Sequence, residues 1–282
     1  MRAQPSVDVR FLDREDYRLA IHVAENREGF GDLILLHGAG VASEATWYPM
    51  LSAFQSYRRV ICPDLRGMGR SHALDFEDRA ISATIVADDV DAMLDEFSVT
   101  QCQMVGYSFG GLIALMVNAL RPGVVDDLVL LEPALLERAS LEALRELRSR
   151  YAIAASSLLA EDDPVIGVTQ FLDLISPNRS THPRVERMTV QRLASRPKGL
   201  AYALIAVNEA AWHIDRMDLI DQVPRTLSLV GSKSVDDAHA FHQILASSKE
   251  RWFYQSVPGV DHALPYQKPG VCADLICAHF GR

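Results

Sequence analysis

The sequence predicts an α/β protein, with a mostly parallel central sheet flanked by helices and a helical insertion dividing the sheet-forming chain. Three observations predict it. Short apolar, β-branched runs alternate with helical stretches through the first half of the chain. These runs are continuously apolar, the pattern of parallel strands covered on both faces. Between 134 and 220 no strand pattern occurs, and it then resumes.

In chain order, an N-terminal strand pattern contains His22, and Leu33-Ile34-Leu35-Leu36 is the first clear buried strand. It runs into His37-Gly38-Ala39-Gly40. Arg59-Val60-Ile61-Cys62 ends at Pro63-Asp64, and Cys102-Gln103-Met104-Val105 runs into Gly106-Tyr107-Ser108-Phe109-Gly110-Gly111. Leu128-Val129-Leu130-Leu131 ends at Glu132-Pro133. Helical spacing occupies 85–97 and 112–120 between them. The acidic run at 88–91 reads as a solvated helix face. The insertion is rich in Leu, Ala, Arg and Glu. Helices are predicted over 140–160, 165–175, 184–195 and 199–212, punctuated by Asp163-Pro164, Ser176-Pro177-Asn178 and Arg196-Pro197. Strands resume at 226–230 and 252–255, and a helix over 269–280 closes the chain.

Composition narrows the function. With 282 residues, 49% hydrophobic and 23% charged, the chain is of ordinary globular make-up, with no repeat and no low-complexity segment. No apolar run reaches the length of a membrane-spanning helix. Residues 1–14 contain no apolar run of signal-peptide length, so a cytoplasmic protein is expected. A formal charge of −9 argues against nucleic acid or an anionic membrane as partner. The four cysteines (Cys62, Cys102, Cys272, Cys277) are too sparse for a disulfide scaffold and lack zinc-site spacing. No strand-linked dinucleotide fingerprint occurs, so neither metal nor cofactor is expected.

Chemistry concentrates in three places. Gly106-x-Ser108-x-Gly110 fits a sharp strand-to-helix turn that lifts the serine clear of the sheet. Such a turn aims the Phe109 N–H and the positive end of the following helix at the same space. The Gly38–Gly40 loop brings a second backbone N–H, that of Ala39, to the opposite side, so Gly38, Ala39 and Phe109 are the expected oxyanion site. Among nine histidines, His262 lies in a loop after the last strand pattern, where it can reach back over the sheet edge as base for Ser108. His37 is expected to organise its loop rather than act as a base. His239, His242 and His279 fall in helical contexts and read as surface residues, and His72 and His182 fall in loops.

The chain resembles the α/β-hydrolase fold superfamily. The resemblance is carried by H-G-A-G (37–40), D-L-R-G-M-G-R-S (64–71), G-Y-S-F-G-G (106–111) and G-V-D-H (259–262), and it covers the core, about two-thirds of the chain. It implies the α/β-hydrolase fold, with a core of 1–133 and 221–282 and a helical cap of 134–220. A serine at position 108 points away from haloalkane dehalogenases and epoxide hydrolases, which use aspartate there.

The third catalytic member departs from the commonest pattern. Many superfamily members carry G-x-x-D after the seventh strand, where this chain has Gly231-Ser232-Lys233-Ser234. Asp236 and Asp237, just beyond, are one option for the acid. Glu132, at a strand end 24 residues after Ser108, is the favoured one. That placement resembles the zearalenone-type lactone hydrolases. Within the cap, Trp212 is a candidate substrate contact, although core packing suits it equally, and Met188, Leu193 and Leu204 face either pocket or core.

The implied activity is cofactor-free hydrolysis of a small carboxylic ester or lactone through an acyl-enzyme. Ser108 is the nucleophile, His262 the base and Glu132 the acid. Alternatives on the same fold are a thioesterase, a carbon–carbon bond hydrolase, a cofactor-free dioxygenase or a small-molecule receptor.

Overall fold

The computed structural model describes residues 4–160 and 163–282. The sheet begins with β1 (Val7–Asp13), β2 (Tyr17–Glu25) and β3 (Asp32–Leu36). Then come α1 (Ser43–Trp47), a 3₁₀ turn (Tyr48–Ala53), β4 (Arg59–Pro63), the short β5 (His72–Ala73) and α2 (Ala83–Glu96). The centre is β6 (Cys102–Tyr107), α3 (Phe109–Leu120) and β7 (Val125–Leu131). Helices α4 (Leu141–Ala160), α5 (Pro164–Ile175), α6 (Pro183–Leu193) and α7 (Pro197–His213) follow, then α8 (Arg216–Asp221). The chain closes with β8 (Arg225–Gly231), α9 (Asp236–Ser248), β9 (Trp252–Val257), α10 (Leu264–Gln267) and α11 (Pro269–Phe280).

The strand order is β1-β2-β4-β3-β6-β7-β8-β9, with β5 paired to β2. From β4 to β9 every pairing is parallel, and the pairings of β2 with β1, β4 and β5 are antiparallel. The expected mostly parallel sheet with flanking helices is therefore the observed one. Side chains alternate across it, as strand geometry requires. Ile34, Leu36, Met104, Leu128 and Leu130 face the layer containing α2, α3 and α8. Leu33, Leu35, Val105, Val129 and Leu131 face the opposite layer, with the 3₁₀ turn and α11. Both faces are buried, which is why these strands read as unbroken apolar runs.

Helices α4 to α7 have an apolar cluster of their own, including Tyr151, Leu158, Val168, Phe171 and Leu200, which also takes in Val41 beside the Gly38–Gly40 loop. Proline stands at the start of α5, α6 and α7, where the missing N–H costs no helical bond. No helix among the described residues is long and apolar enough to cross a membrane.

Because β3, β6, β7, β8 and β9 run parallel, their carboxyl ends share one edge of the sheet. The segments 37–40, 106–111, 132–133, 231–234 and 259–262 all emerge there, the usual location of a site in an open parallel sheet.

Candidate active site

Ser108 sits between β6 and α3 at φ 52° and ψ −114°, a conformation that costs an L-residue roughly 1–3 kcal/mol. Close packing around the turn enforces it. A Cβ on Gly106 would lie 2.5 Å from the Gly110 carbonyl oxygen, and one on Gly110 would lie 2.3 Å from that of Leu36. Only glycine lets α3 approach β3 and β6 this closely, and that approach holds the serine out at the sheet edge.

His262 is held by a loop that Asp261 ties down. The Asp261 carboxylate accepts from the Ala263 N–H (2.9 Å) and from Gln267 Nε2 (2.9 Å), while Gln267 Oε1 accepts from the Asp261 N–H (3.0 Å). The imidazole is buried, with Nε2 3.1 Å from Ser108 Oγ and Nδ1 2.7 Å from Glu132 Oε2. With Glu132 ionised, Nδ1 carries the proton and Nε2 offers its lone pair to the serine hydroxyl.

Glu132 follows β7 directly, at φ 41°. Its Oε1 accepts from the Gly231 N–H (2.7 Å) and from Ser234 Oγ (2.6 Å). Burial pushes this carboxyl up, but the hydrogen bonds from His262, Ser234 and Gly231 outweigh burial and hold it below the usual carboxylate range. Position 234, which holds aspartate in the G-x-x-D pattern, thus carries a hydroxyl that donates to the carboxylate at 132. The two alternative acids lie elsewhere. Asp236 and Asp237 open α9, and Asp237 is exposed and pairs with Arg138 at 3.2 Å.

Opposite Phe109, the 37–40 loop is braced from beneath. His37 is fully buried, and burial depresses its pKa. Its Nε2 accepts from the Leu65 N–H (2.9 Å), so Nδ1 carries the proton and donates to the Gly38 carbonyl (2.7 Å). Since that peptide is planar and trans, the N–H of Ala39 points away from His37. The Asp64 loop supports the same region, accepting from the N–H groups of Ser43 and Arg70 and contacting His22 Nε2 at 3.0 Å. The Phe109 N–H belongs to the first turn of α3, where the helix supplies no acceptor and no side chain caps it.

A cavity opens over Ser108 and His262. Gly38, Ala39 and Val41 line one side, and Tyr107 and Tyr266 another. The roof comes from α5 (Phe171, Leu172, Ile175), its cap residue Ser176, and α6 (Thr189, Arg192, Leu193). Of the cap residues named from sequence, Leu193 lines this cavity, Leu204 is packed in the cap's own core, and Met188 is exposed. Trp212 is not among the residues lining this cavity. It is 47% exposed at the end of α7, under the Arg145 guanidinium (5.5 Å to the ring centre), beside a separate surface depression. The apolar stripe of α7 runs through Leu200, Ala203, Leu204, Val207 and Ala211, and Trp212 is off it. His242, read as a surface residue, is buried against Trp252 and Tyr254.

Sequence reasoning missed the polar cap residues Arg192 and Ser176 and the aromatic wall. Tyr107 lies 5.3 Å from the His262 ring and 6.0 Å from Tyr266, centre to centre. Tyr107 adjoins the serine in the motif, a signal that was available. Tyr266 and Arg192 meet only through tertiary folding. No group of His, Cys, Asp and Glu among the described residues is placed to hold a metal ion.

The chain is 34% identical over 113 residues to a putative carbamate hydrolase of Variovorax paradoxus, covering 40% of this chain and 42% of that one. It is 35% identical over 126 residues to a 2-hydroxymuconate semialdehyde hydrolase of a Pseudomonas species, covering 44% of each. The matches span less than half the length of these curated relatives. The enol-lactonase of Burkholderia xenovorans superposes with a TM-score of 0.75 over 97% of this chain and 100% of its own, at 17% identity, a likeness of fold. The family model described as "Alpha/beta hydrolase family" matches residues 33–275, which include every segment at the sheet edge described above, and the chain belongs to that family.

Proposed function

We propose that the protein is a serine hydrolase that cleaves a small carboxylic ester or lactone through an acyl-enzyme. The observation that carries this reading is the continuous contact Ser108 Oγ···Nε2 His262 Nδ1···Oε2 Glu132, at 3.1 and 2.7 Å. Helices α4 to α7, within residues 134–220, act in it as the cap that shapes the substrate space.

Ser108 Oγ attacks the carbonyl carbon as its proton passes to His262 Nε2. The carbonyl oxygen takes the negative charge and is held by the N–H groups of Ala39 and Phe109. Glu132 keeps the proton on Nδ1 and stabilises the imidazolium. Collapse breaks the bond to the alcohol oxygen, which leaves with the proton from His262. A water then attacks the acyl-enzyme, giving its proton to His262, and Ser108 leaves with it. In a lactone the freed alcohol remains tethered, so water must intercept the acyl-enzyme before the ring re-closes.

The strained serine, an ionised acid beneath the base and apolar walls all favour acyl transfer. The ester class rests on that chemistry. Lactones are included because the acid stands at position 132. A fluorophosphonate is expected to label Ser108 alone, and Ser108→Ala is expected to lower kcat on p-nitrophenyl esters or lactones by about 10⁴- to 10⁶-fold while remaining folded. Near-normal turnover by a folded Ser108→Ala protein would sink the acyl-enzyme.

A further inference from the structure

Within the cavity, Arg192 is the one permanently charged side chain among the described lining residues. Its guanidinium stacks on the Tyr266 ring, 4.2 Å from the centre, and makes no hydrogen bond or ion pair with any described residue. Neighbouring cap arginines are used differently. Arg179 pairs with Asp173 (2.7 Å) and Glu186 (3.4 Å), and Arg196 reaches Asp78 (3.3 Å) and the Gly69 carbonyl (2.9 Å). Arg192 is half-buried in a cavity lined by Phe171, Leu172, Ile175 and Leu193, where a cation loses part of its hydration and no carboxylate among the described residues replaces it.

A second polar group is also unengaged. Ser176 is 5% exposed, lines the same cavity, and its hydroxyl makes no hydrogen bond with a described residue. A planar guanidinium fork and an unengaged hydroxyl lining one cavity suit a carboxylate, which accepts two parallel N–H bonds and one O–H bond. The overall charge of −9 offers an anion no general attraction, so a local cation is what would retain one.

We propose that Arg192, assisted by Ser176, is the specificity determinant for a substrate that carries a free carboxylate in addition to its scissile ester or lactone bond. This rests on the hydrolase reading of the same site. Tyr266 positions the guanidinium from behind, and Tyr266 packs on Tyr107, the residue preceding the nucleophile. The carboxylate would therefore anchor one end of the substrate against the cap while the carbonyl meets Ser108.

The test compares shape-matched pairs. Monomethyl glutarate against methyl 5-methylhexanoate places the charge on the acyl side, and 4-acetoxybenzoate against 4-isopropylphenyl acetate places it on the alcohol side. The wild-type protein is expected to favour the anionic member of at least one pair in kcat/KM. Arg192→Gln is expected to lower that anionic-to-neutral ratio by about 30- to 100-fold, mostly through KM, with Arg192→Lys intermediate. A wild-type protein with no anionic preference, a ratio unmoved by Arg192→Gln, or an equal loss on both members would overturn the proposal. Equal loss would mark Arg192 as a brace between α6 and Tyr266. Binding of the unreactive glutaric acid monoamide is measured in parallel by calorimetry. If no ester is cleaved, the hydrolytic reading falls, yet binding that Arg192→Gln weakens at least tenfold still supports the anion site. Absence of such binding overturns it.

Discussion

Replacing Glu132 with glutamine tests the proposed acid without changing its shape. The carboxylate meets three donors: Gly231 N–H and Ser234 Oγ on Oε1, and His262 Nδ1–H on Oε2. Glutamine has one oxygen and one NH₂ for the two positions. The backbone N–H of Gly231 can only donate, so the amide oxygen is held on that side and the NH₂ faces His262. The imidazole must then present an unprotonated Nδ1, which moves its proton to Nε2, the atom that should receive the proton of Ser108. The opposite amide orientation sets NH₂ against the Gly231 N–H, a repulsive contact in a buried site. The first arrangement is therefore the favoured one and disables the base, and in both the ionic stabilisation of the imidazolium is lost. The expected result is a fall in kcat of about 10²- to 10⁴-fold, or roughly 3–5 kcal/mol of barrier. The assay is ester hydrolysis at saturating substrate, with circular dichroism to confirm folding and ¹⁵N imidazole shifts to report the tautomer. Asp236→Asn and Asp237→Asn are expected to lose less than about tenfold. A folded Glu132→Gln protein within tenfold of wild type, or a crippled aspartate variant, would refute the reasoning.

Other outcomes follow from the same structure. His242 is buried, its Nδ1 has no hydrogen-bond partner among the described residues, and burial lowers its pKa to about 4. Between about pH 4 and the unfolded histidine value of about 6.5, the unfolded chain binds more protons. Stability therefore falls as pH falls through that window, by about 3 kcal/mol from this group. In His242→Leu the urea midpoint should vary less between pH 7 and pH 5 than in wild type, and an unchanged slope would contradict the burial argument. Trp212→Ala should leave KM within about twofold and cost about 0.5–1 kcal/mol from the lost stacking with Arg145, read from a thermal melt beside the kinetics. Activity should survive EDTA and dialysis, since the proposed steps use only side chains, backbone and water; loss restored by a divalent ion would contradict them.

The sheet was legible in the sequence because its central strands are buried on both faces. Leu33–Leu36 and Leu128–Leu131 leave no polar residue to obscure the run. The two-residue β5 carries no such signal, because it exists only through pairing with Tyr17 and Arg18 far earlier in the chain. Ser108, Ala39 and His262 could be named for a related reason. Each lies within a few residues of a strand end, so local turn chemistry announces it.

The acid could not be chosen with the same ease, and the sheet register explains why. Leu131 of β7 is level with Leu229 of β8, so Glu132 emerges beside the end of β8 and reaches Gly231 and Ser234, which are 99 and 102 residues away in sequence. Two strand ends meet at one point, and a carboxylate on either can be directed to the same imidazole. No local pattern distinguishes them, because the choice depends on which strands are neighbours. The cap is less legible still, since its helices can be placed from sequence but their docking cannot. Arg192 closes an amphipathic helix, where a basic residue ordinarily reads as a solvated partner for the helix dipole. Only the arrival of Tyr266 from beyond β9 holds its guanidinium at the cavity, as the one permanent cation among the described lining residues. In the proposed reaction the chemistry of the reacting bond is therefore written at the strand ends. The identity of the substrate depends on contacts between helices and loops distant in sequence, which is where substitutions can alter specificity without disturbing Ser108, His262 or Glu132.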